Sequence, residues 1–107
     1  MTAKTGVIPP PEVAREAQKG LKLREKFHRG GTSVGLRHAR QLAERHPVSI
    51  RDIAAISEFF ARHAADGTAD SPEEDNPSAA HIAWLMWGGD PGREWANRMK
   101  AKVERIR

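Results

Sequence analysis

The residues best equipped for chemistry in this 107-residue chain are its cations. Positions 1–46 hold ten lysines and arginines against four acidic residues, and positions 77–107 hold six against three. Between them, positions 66–76 carry five acids and no base. Lys and Arg clustered on adjoining helix faces form a surface that attracts polyanions, above all the phosphates of nucleic acid. Lys19, Lys22, Lys26 and Arg29 in one stretch, Arg37 and Arg40 in the next and Arg51 in a third are the candidate nucleic-acid-binding residues. A formal net charge of +4 is equally what ordinary solvated helix faces produce, so charge alone leaves both readings open.

Other chemistry finds less support. Gly30-Gly31 before Thr32 and Ser33 is a short glycine-rich turn that can offer backbone N–H groups to a phosphate. It lacks the spacing and the lysine of an NTPase loop and follows no strand. The acids Asp66, Asp70, Glu73, Glu74 and Asp75 suggest calcium, but an EF-hand count from Asp66 puts Ser71 where glycine is needed and Pro77 where a bidentate glutamate is needed. The five histidines, at 28, 38, 46, 63 and 81, have no metal-ligand spacing, so no metal is expected. His28 and His38 lie in or beside the basic region, where protonation would add to phosphate contact. His63 and His81 flank the acidic loop, where a His–carboxylate pair is conceivable. No nucleophile, base and orienting group converge, so the expectation is a non-enzymatic protein with no cofactor and no catalytic residues.

The elements that must position these residues are helices throughout. Positions 1–11 end in Pro9-Pro10-Pro11 and read as a flexible tail, leaving 12–107 as one helical domain. Val13, Ala17, Gly20, Leu21 and Phe27 recur about once per turn over 12–27, with Arg15, Lys19, Lys22 and Lys26 on the polar side. A second helix from Val34 to about Arg45 buries Leu36, Ala39, Leu42 and Ala43, and Pro47 ends it. Ser49 caps a third that runs to about Ala64 and buries Ile53, Ile56 and Phe60, with Ile50 and Phe59 at its margins. Ser78 caps a fourth that runs through Trp87. A fifth starts at Pro91 behind an Asp90 cap and aligns Trp95, Met99, Val103 and Ile106. Gly88-Gly89 can take the left-handed backbone that turns the fourth helix into the fifth, with Trp84, Trp87 and Trp95 filling the angle. The tryptophans read as core rather than as base-stacking platforms. The fold expected is all-α, a compact domain of about five helices closed by a Trp-rich corner.

Two stretches resemble known patterns. Gln41 to Ile56 resembles a bacterial helix-turn-helix, with Leu42, Ala43, Val48, Ser49, Ile53 and Ile56 at its packing positions and Arg51, Ser57 and Arg62 on the would-be recognition helix. Pro47 stands where such turns usually carry a glycine with positive φ, which proline cannot adopt. The blocks Gly30-Gly31-Thr32, Ala39-Arg40-Gln41-Leu42, Val48-Ser49, Phe59-Phe60-Ala61-Arg62-His63 and Ile82-Ala-Trp-Leu-Met-Trp-Gly-Gly-Asp-Pro-Gly-Arg-Glu-Trp-Ala96 together resemble a small domain of tailed bacteriophages and prophages. That domain occurs alone or attached to head-morphogenesis proteins such as prohead proteases. The likeness covers roughly 12–100 and implies a phage setting without a settled activity.

No cysteine is present, and no apolar run approaches the roughly 18 residues that span a bilayer. The cytoplasm of a bacterial host is the expected location, with no membrane partner. The function expected is non-enzymatic nucleic-acid binding, to DNA or RNA, through phosphate contacts with little sequence preference. The alternative is a protein-interaction module of phage head assembly or host takeover, partnered by a phage or host protein.

Overall fold

A computed structural model describes residues 6–30, 32–69 and 78–106, with the backbone alone at 64–69 and 104–106. Its helices are α1 (Pro11–Phe27), α2 (Ser33–Ala43), α3 (Ile50–Ala69), α4 (Ala79–Met86) and α5 (Gly89–Ile106). The fold is all-α. Pro11 starts α1 at a position that needs no N–H, and the Pro10 carbonyl takes the N–H groups of Val13 and Ala14. Thr32, Ser49 and Ser78 cap α2, α3 and α4, each hydroxyl accepting the N–H three residues on at 3.0–3.1 Å. Pro47 ends nothing by itself. α2 is closed two residues earlier by Arg45, whose φ of 54° lets His46 N–H reach the Gln41 carbonyl and Arg45 N–H the Leu42 carbonyl. α3 runs past its expected end but departs from helical dihedrals at His63.

The fourth and smallest helix is the hub. α4 packs on all four others, α1 also contacts α2 and α5, and α3 also contacts α5. Gly20 permits the crossing of α1 over α4, because a Cβ there would lie 2.6 Å from the Met86 nitrogen and 2.9 Å from the Leu85 carbonyl carbon. Phe60, Leu42, Ile53, Ile56, Ile82 and Met86 are the largest wholly buried side chains. Phe59, placed by sequence at a margin, is also buried.

The corner between α4 and α5 turns on Gly88 (φ 114°) and Gly89 (φ 64°), with Trp84, Trp87 and Trp95 all buried. The expected Asp90 cap gives way to a different arrangement. The Gly88 carbonyl accepts the first helical N–H, from Gly92, while the Asp90 carboxylate accepts the Trp84 indole N–H at 3.0 Å. A buried indole donor needs a partner, and Asp90 supplies it.

The helix-turn-helix likeness survives in sequence order but not in packing. No Cα of α2 lies within 8 Å of a Cα of α3 among the described residues. Trp87 is inserted between them, with its ring 4.8 Å from His38 of α2 and stacked at 4.5 Å and 6° on Phe59 of α3. Ser57, a candidate on the recognition helix, is buried and donates to Asn97 Oδ1 of α5 at 2.7 Å, so it faces away from any groove-reading surface.

Part of the expected tail is ordered against the domain. Val7 and Val48 exchange two backbone hydrogen bonds of 2.9 Å, Arg45 Nε donates to the Pro9 carbonyl at 2.8 Å, and Pro9 is buried. Residues 1–5 of that tail lie outside the described residues.

Candidate nucleic-acid interface

The basic residues of α1 divide by helical geometry. At about 100° per residue, Arg15, Lys19, Lys22 and Lys26 share one exposed face, while Val13, Ala17, Gly20, Leu21 and Arg24 share the inward one. Lys19 sits 3.8 Å from Glu16, an exposed pair that contributes little to stability. Lys26 and Arg29 both lie over the Phe27 ring, at 5.3 and 5.6 Å, which carries the lysine row around to the end of the helix.

Where α1 turns into α2, a cleft of about 640 Å³ opens. Among the described residues its cations are Arg24, Arg29 and Arg40, with His28 beside them and Glu25 as the acid of the lining. Leu21 and Leu36, both half-buried, supply an apolar floor. His28 closes α1 in the left-handed conformation (φ 53°), its N–H bonded to the Arg24 carbonyl at 2.7 Å. Arg24 Nε donates to the Gly30 carbonyl at 3.2 Å, tying the turn to the helix and fixing the guanidinium on the cleft wall.

Of the seven cations singled out from sequence, the cleft gathers Arg29 and Arg40. Lys26 lies over the Phe27 ring outside the cleft lining, and Arg37 is exposed on α2, one turn before Arg40. Lys19 and Lys22 point away from it on the far side of α1. Arg51 is exposed in the first turn of α3, outside the cleft lining. Sequence reasoning missed Arg24. Its signal was position: it falls three residues after Leu21 and four after Gly20, on the inward stripe, where a cation becomes part of a wall rather than a bristle.

No match to this chain is found among protein-family profiles, curated proteins or solved structures. The reading of the cleft therefore rests on its own geometry.

The histidines differ from the sequence expectation in one important case. His38 contributes no charge to a phosphate surface, because its ring is 2% exposed and packed on Trp87. Burial lowers its pKa below the ordinary imidazole value of 6.5, and nearby Arg37 adds to that, against the opposing pull of the Asp52 carboxylate and the Gln41 side chain. His46 is exposed and pairs with Glu44 at 2.8 Å. His63 packs on Phe59 at 4.6 Å. The acidic segment 70–77 lies outside the described residues, and with it any His–carboxylate pair or cation site there. Among the described residues no three His, Asp or Glu side chains are grouped to hold a metal, and no helix is long and apolar enough to cross a membrane.

Two other depressions are less cationic. One, of about 650 Å³ between α3 and α5, sets Arg93 and Arg98 against Glu94 over the Ser57–Asn97 pair. The other, of about 500 Å³ between α2 and α3, sets Arg62 against Glu58 over the edges of Trp87 and Phe59. Of these three depressions among the described residues, the corner of α1 and α2 has the most cations in its lining.

Proposed function

We propose that this protein is a small, non-enzymatic nucleic-acid-binding protein that contacts phosphates with little sequence preference. The supporting observation is the α1–α2 corner, where Arg24, Arg29, Arg40 and His28 line one cleft and Glu25 is the acid among its described lining residues. Lys26 and Arg37 extend that surface on either side. Arginine forks match phosphate oxygens bidentately, and cations without base-reading geometry give affinity rather than specificity. The insertion of Trp87 between His38 and Phe59 and the inward turn of Ser57 argue against a groove-reading helix. The sequence blocks that resemble a tailed-phage domain suggest a setting for this activity, a phage protein in the bacterial cytoplasm.

The test is a double charge reversal, Arg37→Glu with Arg40→Glu. Both side chains are exposed, so the circular dichroism spectrum and thermal midpoint should be retained while DNA affinity is abolished. Unchanged affinity in the folded variant removes this surface from the proposal. A protein that binds no nucleic acid would direct attention to an acidic protein partner for the same surface.

A further inference from the structure

The geometry points to the α1–α2 cleft as a site that takes a terminal phosphate, the phosphomonoester end of a nucleic-acid strand or a free nucleoside phosphate, in preference to an internal phosphodiester. This deepens the nucleic-acid reading and rests on it for the strand-end source.

Three features carry the inference. First, the cations are concentrated in a recess. Arg24 is half-buried in the wall, held by its Nε bond to the Gly30 carbonyl, and Arg29 and Arg40 complete the lining from the loop and from α2. A phosphomonoester carries close to two negative charges at neutral pH and three terminal oxygens, so it gains more from several neighbouring cations than a singly charged diester does. Interactions in a recess are also less screened than on an open ridge.

Second, the recess has two chemical halves. Leu21 and Leu36 form an apolar floor beside the cationic wall, and the volume of about 640 Å³ lies within the range of small-ligand pockets. A terminal nucleotide fits both halves, with its phosphate on the arginines and its sugar or base over the leucines. An internal phosphate of a stiff duplex is flanked on both sides by backbone and meets a recess edge-on.

Third, the turn that forms the recess is fixed. His28 takes a left-handed conformation, and Gly30, at φ 94°, passes so close to α4 that an added Cβ would lie 2.7 Å from the Ile82 side chain. A turn held from both α1 and α4 presents Arg29 and the imidazole in one place, which lowers the ordering cost of binding.

The experiment uses the full chain and three probes, titrated by fluorescence anisotropy or calorimetry at one salt concentration. These are a single-stranded oligonucleotide with a 5′-phosphate, the same oligonucleotide with 5′- and 3′-hydroxyl ends, and adenosine 5′-monophosphate. Preference for the phosphorylated end by about tenfold is expected, reduced to about one in Arg40→Gln. Arg40 is exposed, and circular dichroism confirms that the variant folds. If neither oligonucleotide binds while the monophosphate saturates wild type and not Arg40→Gln, the cleft is a nucleotide site and the nucleic-acid reading fails alone. If both oligonucleotides bind equally and the monophosphate does not bind, the terminal-phosphate inference is overturned while the nucleic-acid reading stands. If no probe binds, both fall.

Discussion

Replacing Gly20 by alanine tests the packing on which the whole domain depends. In an isolated helix the change is favourable by about 1 kcal/mol, because glycine loses more backbone entropy and alanine is the best helix former. Here the new methyl would lie 2.6 Å from the Met86 nitrogen and 2.9 Å from both the Leu85 carbonyl carbon and Met86 Cγ. Ordinary carbon contacts are at about 3.5–4.0 Å, so α1 and α4 must part by roughly 1 Å at their crossing. Two of the three crowded atoms are backbone and cannot swing aside. Overpacking of this kind costs about 1–3 kcal/mol, toward the upper end when a helix has to move. The parting would also loosen Val13 and Ala17, both fully buried. Set against the propensity gain, the net expectation is a destabilisation of about 1–2 kcal/mol, or a fall in Tm of about 5–15 °C for a domain of this size. Urea and thermal denaturation, followed by far-ultraviolet circular dichroism and tryptophan fluorescence, measure it. Lys22→Ala, on the exposed face of the same helix, is the control and should change stability by less than about 0.5 kcal/mol. A Gly20→Ala protein as stable as wild type, or more so, refutes the close crossing of α1 on α4.

Two further stability predictions follow from buried polar groups. Asp90→Ala leaves the Trp84 indole N–H without its acceptor and should cost about 1.5–3 kcal/mol in urea denaturation, whereas Asp90→Asn, which keeps an oxygen in place, should cost less. Equal losses for the two variants would show that the carboxylate is not that acceptor. His38, with its pKa lowered by burial, binds a proton more readily when unfolded, so its contribution is complete above the ordinary value of 6.5 and is lost as pH falls below it towards the folded value. The wild-type urea midpoint should therefore drop between pH 7.5 and 5 more steeply than that of His38→Gln, and parallel pH profiles would contradict the buried, neutral imidazole.

What was legible in the chain was what local chemistry decides. Ser49 and Ser78 each cap a helix through an N–H three residues away, and Gly88-Gly89 turn a corner only glycine turns easily, so these features stand in the sequence. Long-range partners were not legible. Nothing local marks Val7 as the backbone partner of Val48, or Asp90 as the acceptor for Trp84 rather than a helix cap. The positive φ sought at Pro47 belongs to Arg45, whose Nε bond to the Pro9 carbonyl helps hold an unfavourable backbone. Trp87 is inserted between His38 and Phe59 of the helix-turn-helix-like pair, while Leu42, Val48, Ile53 and Ile56 of that pattern are buried and Ala43 is partly so. At the candidate site the sequence supplied the cations but not their grouping. Helical periodicity separates Lys19 and Lys22 from the cleft, and only the fold of α1 against α2 brings Arg24, Arg29 and Arg40 together.

The most direct measurement is a fluorescence anisotropy titration with labelled duplex and single-stranded DNA across a range of salt concentrations. Micromolar or tighter binding at about 50 mM salt is expected, weakening as salt rises. Three to five phosphates neutralised by the α1–α2 corner correspond to a slope of log affinity on log salt of about −3 to −4.5 for duplex. Absence of binding at low salt, or binding indifferent to salt, would contradict nucleic-acid recognition through phosphates by this protein.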